Sequence, residues 1–121
     1  MKQLTKNVWI ETGQRGSNHG LVTTSDGLVL IDGPHKPSDA LRLKADIERR
    51  GVPLRYILNT EPHGDHWTSN AYFDVPVVAH EGVRRRILET NMPEMLSALS
   101  ASDNTAPSID RGIESSIDSG L

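Results

Sequence analysis

The stretch from Leu28 to Leu58 constrains the fold more than any other part of this chain. Leu28-Val29-Leu30-Ile31 is an apolar run bounded by Gly27 on one side and Asp32-Gly33-Pro34 on the other, which reads as a strand with an abrupt stop. The spacing predicts a helix starting near Ser38, whose hydroxyl can cap the first free N–H groups. Ala40, Leu43 and Ile47 recur on one helical face with Leu41 and Ala45 beside it, while Arg42, Lys44, Glu48 and Arg49 fill the remaining positions. Gly51 suits the left-handed residue that follows a helix, and Pro53 blocks its continuation. Leu54-Arg55-Tyr56-Ile57-Leu58 is a second strand. A strand–helix–strand unit of this length is a crossover between parallel strands. The polar loop Asn59 to Trp67 therefore leaves the carboxyl end of a strand, where α/β sheets bind ligands.

The flanking segments extend the sheet. Val8-Trp9-Ile10 is a short strand, followed by a polar loop from Thr12 to His19 loosened by Gly13, Gly16 and Gly20. Leu21-Val22-Thr23-Thr24 precedes Ser25-Asp26-Gly27, a hairpin signal because Asp and Gly both tolerate positive φ. Beyond the loop, Pro76-Val77-Val78-Ala79 is a further strand, Glu81 to Thr90 a helix, and Pro93 to Leu99 a turn or two of helix. The class is α/β: a mixed sheet with helices on one face.

The 121 residues leave room for one modest domain. Residues 1–99 are expected to hold it. Residues 92–121 carry Asp103, Asp110, Asp118, Glu94 and Glu114 against Arg111 alone, and contain seven serines, so 100–121 reads as an acidic, serine-rich flexible tail or linker. No cysteine is present, which excludes disulfides, thiolate metal sites and cysteine nucleophiles. A net charge of −3 argues against a general polyanion binder, and Arg84-Arg85-Arg86, pointing in different directions from a helix, reads as a solvated face, not a nucleic-acid site. No apolar run reaches membrane-span length and the first residues lack a signal-peptide core, so no membrane association and a cytoplasmic location are expected.

Thr60-Glu61-Pro62-His63-Gly64-Asp65-His66-Trp67 carries the chemistry. Residues two apart in an extended segment point the same way, so Glu61 and His63 can converge. Gly64 permits a sharp turn, after which Asp65 and His66 present a carboxylate and an imidazole from the opening of a helix. Such a set suits a divalent metal, Zn²⁺ first, with Fe²⁺ or Mn²⁺ as further options. The plain reading is a polar loop whose His and Asp only cap a helix or bond each other.

These residues resemble the N-terminal part of a metallo-β-lactamase-fold hydrolase, whose signature is His-x-His-x-Asp-His after a strand, preceded by a hairpin ending in Asp. Here the hairpin ends at Leu28-Val29-Leu30-Ile31-Asp32-Gly33, and the signature region runs from Ile57 to His66. Ser69 to Phe73 and Pro76 to Glu81 also resemble the family, so the match covers roughly residues 7–90. The resemblance implies an αββα sandwich of which this chain is the first half. It implies a metal-dependent hydrolase acting on a small-molecule ester, thioester, amide or phosphoester through metal-activated water. Glu61 and His63 would hold one metal and Asp65 and His66 a second, with Asp65, the catalytic residue, also orienting the water. Asp32 would bond to the signature loop, or serve only as a turn residue.

Two departures stand out. Glu61 occupies the first histidine position, which adds a charge and a harder oxygen ligand; alternatively Glu61 does not ligate and His63, Asp65 and His66 surround one weaker site. The family also draws a His, a bridging Asp and a final His from a second half, whereas this chain has no histidine after His80, and Asp103, Asp110 and Asp118 are not assigned as ligands. The rival reading is a truncated, non-enzymatic member acting as a metal-binding or protein-interaction module. A lone first half leaves one sheet face open, which implies self-association or a missing C-terminal half. Among the other residues, His19 reads as a solvated loop residue that in the family can approach the site, His35 as surface, His80 as a helix cap, and Trp67 as pocket lining or packing.

Overall fold

The β-branched runs and the crossover helix assemble as the periodicity requires. In a computed structural model, whose description covers residues 1–103, the chain order is β1 (Lys2–Thr5), β2 (Val8–Glu11), β3 (His19–Thr24), β4 (Gly27–Ile31), α1 (Pro37–Arg49), β5 (Leu54–Asn59), α2 (Gly64–Trp67), a 3₁₀ segment (Thr68–Tyr72), β6 (Val77–Ala79), α3 (Glu81–Glu89) and α4 (Met92–Asp103). The strands form one mixed sheet in the order β1-β2-β3-β4-β5-β6. The first four are antiparallel neighbours, while β4, β5 and β6 run parallel. The β3–β4 hairpin pairs Thr24 with Gly27, and Gly27, not Asp26, takes the positive φ.

Alternation along the strands sorts the two faces. Leu21, Leu30 and Ile57 are neighbours by register and are 0% exposed. They pack in one cluster with Ala40, Leu43 and Ile47 of α1, with Trp67 to Phe73, and with Val83, Ile87, Met92 and Leu96 of α3 and α4. Truncating any of these leucines to alanine costs about 2–5 kcal/mol, so this single cluster dominates stability. All the helices therefore cover one face of the sheet. On the other face Val8, Val22 and Val29 line one row, and Ile10, Gly20, Ile31, Leu58 and Val78 the next. Val78 is 52% exposed, and the other apolar members of the second row are half-buried.

Three sequence expectations shift. β1 carries no apolar alternation that would mark it in the sequence; all four of its residues are exposed. The helix α1 starts one residue before Ser38, with Pro37 at its first turn, and Ser38 caps nothing. Its backbone N–H instead donates to Asp103 Oδ2 at 2.7 Å, and Lys36 Nζ lies 3.2 Å from the same carboxylate. Finally, α4 runs from Met92 to Asp103, longer than the turn or two expected over Pro93 to Leu99; residues 104–121 of the expected tail lie outside the described residues. Gly51 ends α1 with φ 69°, as its position predicts.

Gly33 sets the approach of the β4 exit to the 3₁₀ segment. A Cβ there would lie 1.8 Å from Ser69 Oγ and 3.1 Å from Ser69 Cβ, so glycine leaves the space that the Ser69 side chain fills. This contact brings the end of β4 beside the loop that leaves β5.

Candidate metal centre

The carboxyl ends of β4 and β5 lie side by side, and the candidate residues gather there. Asp32, the first residue after β4, has φ 58°, a left-handed conformation that Asp tolerates better than most side chains. It is 4% exposed and accepts three hydrogen bonds: from Thr60 N at 2.9 Å, from Thr60 Oγ1 at 2.6 Å, and from His66 Nδ1 at 2.9 Å. With Nδ1 donating to Asp32, the imidazole of His66 is oriented so that Nε2 faces the carboxylates, where it donates to Glu61 when protonated and offers a lone pair when that proton is lost. That Nε2 lies 2.8 Å from Glu61 Oε1 and 3.9 Å from Asp65 Oδ1. Glu61, Asp65 and His66 each offer one ligand atom, and these atoms all lie within 4.8 Å of one another.

The loop itself is held from below. Trp67, 1% exposed, donates from Nε1 to the Pro62 carbonyl at 2.9 Å, so its role is packing beneath the loop. Asn59 and Asn70 form a reciprocal amide pair: Asn70 Nδ2 donates to Asn59 Oδ1 at 2.7 Å, and Asn59 Nδ2 to Asn70 Oδ1 at 3.3 Å. Asn59 Nδ2 also reaches the His66 carbonyl at 3.4 Å. Both asparagines are buried. From the β2–β3 loop, Ser17 Oγ donates to the Asp65 carbonyl at 2.9 Å.

Of the four residues expected to ligate metal, the structure brings three together. His63 stands apart: it precedes α2, its side chain is 76% exposed, and its Nδ1 meets the Glu61 carboxylate at 2.9 and 3.0 Å. Glu61, Asp65 and His66 thus form one group of converging ligand atoms, with His63 bonded to the Glu61 carboxylate.

The electrostatics follow from these contacts. Burial by itself would lower the His66 pKa, but the hydrogen bond its Nδ1 donates to Asp32 and the charges of Asp32, Glu61 and Asp65 outweigh it and raise the imidazole above its usual value. The His63 hydrogen bond lowers the Glu61 carboxyl below its usual range. Two oxygens and one oriented imidazole nitrogen, with excess negative charge around them, form a donor set that fits a divalent cation.

The other histidines divide. His80 precedes α3 and its Nδ1 accepts from Gly82 N at 2.9 Å, so it is the helix cap expected. His19 is not solvated: it opens β3, is 5% exposed, and its Nδ1 has no hydrogen-bond partner. Strand pairing with Glu11 on β2 carries it under α1, a long-range effect that the glycine-rich loop before it conceals. His35 is half-buried, not on the surface, with Nδ1 3.3 Å from Thr68 Oγ1, and Gly16 packs between it and Asp65. No single-residue signal marks His35; its Pro34-His35 setting only says that the strand has ended. Arg84, Arg85 and Arg86 are all exposed on α3. No helix among the described residues is long and apolar enough to cross a membrane.

Comparison with known proteins supports the site's setting. Residues 12–116 match the family model of the metallo-beta-lactamase superfamily. No curated protein matches the chain. Among solved structures, a HARLDQ-motif mutant metallo-beta-lactamase from Cronobacter sakazakii is 26% identical with a TM-score of 0.57, over 71% of this chain and 36% of that one. A B3 metallo-beta-lactamase described as the first with an active site glutamic acid is 30% identical with a TM-score of 0.52, over 67% of this chain and 32% of that one. The Rm3 metallo-beta-lactamase is also 30% identical, with a TM-score of 0.54 over the same shares. The chain thus spans about a third of the length of these three structures. The shared sheet, the hairpin ending in Asp32 and the family model over most of the sequence lead to one conclusion: this chain belongs to the metallo-beta-lactamase superfamily, as a partial domain.

Proposed function

We propose that this chain supplies the first-half metal ligands of a metal-dependent hydrolase, with Glu61, Asp65 and His66 as the core of the site and His63 able to join it by rotating off Glu61. One observation carries the proposal: three ligand atoms converge within 4.8 Å, and the one imidazole among them is already turned outward by Asp32. A relative described by its active-site glutamic acid supports a ligating role for Glu61. A divalent ion held there would act as a Lewis acid and lower the pKa of a bound water. Zn²⁺ is the first choice, and the two carboxylates leave room for Fe²⁺ or Mn²⁺. The chain's own residues do the rest. Asp32 holds the His66 ring, Ser17 holds the Asp65 backbone, and Asp65 presents a carboxylate that can accept a proton from a water molecule beside it.

The partial length makes a second reading specific. Among the described residues only these three side chains form a ligand group, and the chain spans about a third of its structural relatives. A non-enzymatic module that binds one metal weakly fits the same facts. Elemental analysis of untagged protein, titration with Zn²⁺, Mn²⁺ and Fe²⁺, and a panel of chromogenic lactam, lactone, thioester and phosphodiester substrates separate the readings. We expect metal binding without appreciable turnover by the 121 residues alone, and turnover once a second half is supplied. Metal binding with no turnover even in that longer protein favours the module. Absence of metal binding overturns both.

A further inference from the structure

The loop between β2 and β3, residues 12–18, is fastened to the metal loop at two successive residues. Gly16 takes φ 95°, and a Cβ built on it would lie 2.8 Å from His35 Cβ and 3.3 Å from Asp65 Cβ, so its backbone rests against the wall of the candidate metal centre. Ser17 then donates from Oγ to the Asp65 carbonyl at 2.9 Å. Arg15 is the next residue back along the chain, its Cα about 3.8 Å from that of Gly16, so a long side chain leaving there starts beside His35 and Asp65. The charges of Arg15 and Asp65 both act on the His35 ring, in opposite senses, which puts the three groups in one electrostatic neighbourhood.

Arg15 is exposed. Among the described residues it is in no ion pair, whereas Lys36, Arg42, Arg49, Arg50 and Arg85 are. Its guanidinium donors are therefore left to solvent at the rim of a centre that is otherwise acidic. Asp32, Glu61 and Asp65 surround one imidazole, so an anion approaching them meets net negative charge. A divalent ion on the ligand group offsets two of these charges and leaves the third. Arg15 supplies what the centre lacks, a permanent positive charge carried on a planar fork.

We infer that Arg15 is a substrate-binding residue of the hydrolase proposed above, and that it selects small-molecule substrates that carry a carboxylate. This rests on Glu61, Asp65 and His66 holding a metal, as in that reading. Guanidinium and carboxylate pair through two parallel hydrogen bonds, which fix orientation as well as position. A carboxylate held in that fork turns the rest of the substrate toward Asp65. Gly16 and Ser17 keep the base of Arg15 at a set distance from the ligands, so the selection is built into the loop's attachment. A phosphate monoester carries close to two charges at neutral pH and is repelled more strongly by the three carboxylates, so a carboxylate is the favoured group.

Calorimetric titration of the zinc-loaded 121-residue chain tests this. The probes are 3-mercaptopropionate and 4-mercaptobutyrate, whose thiolate binds zinc, each against its methyl ester, which keeps the thiolate and loses the carboxylate. At least one acid is expected to bind about five- to tenfold more tightly than its ester. Arg15→Ala is expected to erase that preference, and Arg15→Lys to restore part of it, since an ammonium keeps the charge without the fork. Zinc titration of each protein comes first. Absence of zinc binding to the wild-type chain overturns the proposed metal centre and this inference with it. Zinc binding with esters as tight as acids, or an acid preference that survives Arg15→Ala, overturns the inference alone and leaves the metal centre standing.

Discussion

Replacing Asp32 tests the site and its support together. Its carboxylate is 4% exposed, accepts three hydrogen bonds, and sits at φ 58°. Hydrogen bonds to a charged group contribute about 1.5–3 kcal/mol each when buried. Thr60 is exposed and can turn its two donors to water, so its bonds count near the bottom of that range or below it. Asp32→Ala then costs about 3 kcal/mol in lost hydrogen bonds, and the left-handed backbone adds about 1 kcal/mol, since a Cβ without a local polar partner is disfavoured there. Asp32→Gly loses the same bonds and is relieved of the strain. Asp32→Asn keeps an acceptor for Thr60 N and loses the charge. The expected order of stability is wild type, Asn, Gly, Ala, read from urea unfolding followed by circular dichroism at unchanged m-value. The His66 titration moves as well. Its raised pKa means that the His66–Asp32 pair adds stability that is present in full below the unfolded value of 6.5 and lost as pH rises through the folded value. In Asp32→Asn the His66 pKa falls, measured by NMR. Equal unfolding free energies for the Ala and Gly variants, or a His66 pKa unmoved in Asp32→Asn, refute the reasoning.

Further outcomes follow from other contacts. His66→Ala is expected to abolish divalent-metal binding and Asp65→Ala to weaken it by about 10–100-fold, with a smaller loss in His63→Ala because His63 lies outside the converged group; chelator competition reads all three. Burial lowers the His19 and His35 pKa values, so the unfolded chain takes up protons first, and stability measured by urea titration falls as pH drops below 6.5; His19→Gln flattens that slope. Gly33→Ala drives a Cβ to 1.8 Å from Ser69 Oγ and is expected to cost about 1–3 kcal/mol, partly recovered in the double variant with Ser69→Gly, as thermal unfolding shows. The open sheet face is expected to drive self-association that light scattering detects across a dilution series; Ile31→Lys weakens it, and a monodisperse monomer at every concentration contradicts it.

Local patterns made much of the fold legible. The β3–β4 hairpin, the parallel crossover through α1 and the polar loop after β5 all announce themselves within a few residues, because turn chemistry and periodicity act at short range. The cap at His80 is equally local. What escaped depends on distant partners. Ser38 has the right chemistry for a cap, but Pro37 opens the helix and Asp103, 65 residues away, takes the Ser38 N–H. β1 is four exposed residues with no apolar face to betray it. The burial of His19 follows from strand pairing, and the contact of His66 Nε2 with Glu61 follows from the orientation that Asp32 imposes. In each case the deciding contact joins segments whose meeting no window of sequence contains.

The amide pair between Asn59 and Asn70 closes residues 59–70 into a ring before any ligand arrives. The entropy of ordering that loop is then spent during folding and does not recur at each binding event. If a cation binds Glu61, Asp65 and His66 as proposed, it meets a loop already closed, and its dissociation would leave the ring intact. Under the proposed function, exchange of one ion for another would then require no refolding step, and the metal held would follow the supply in the surroundings.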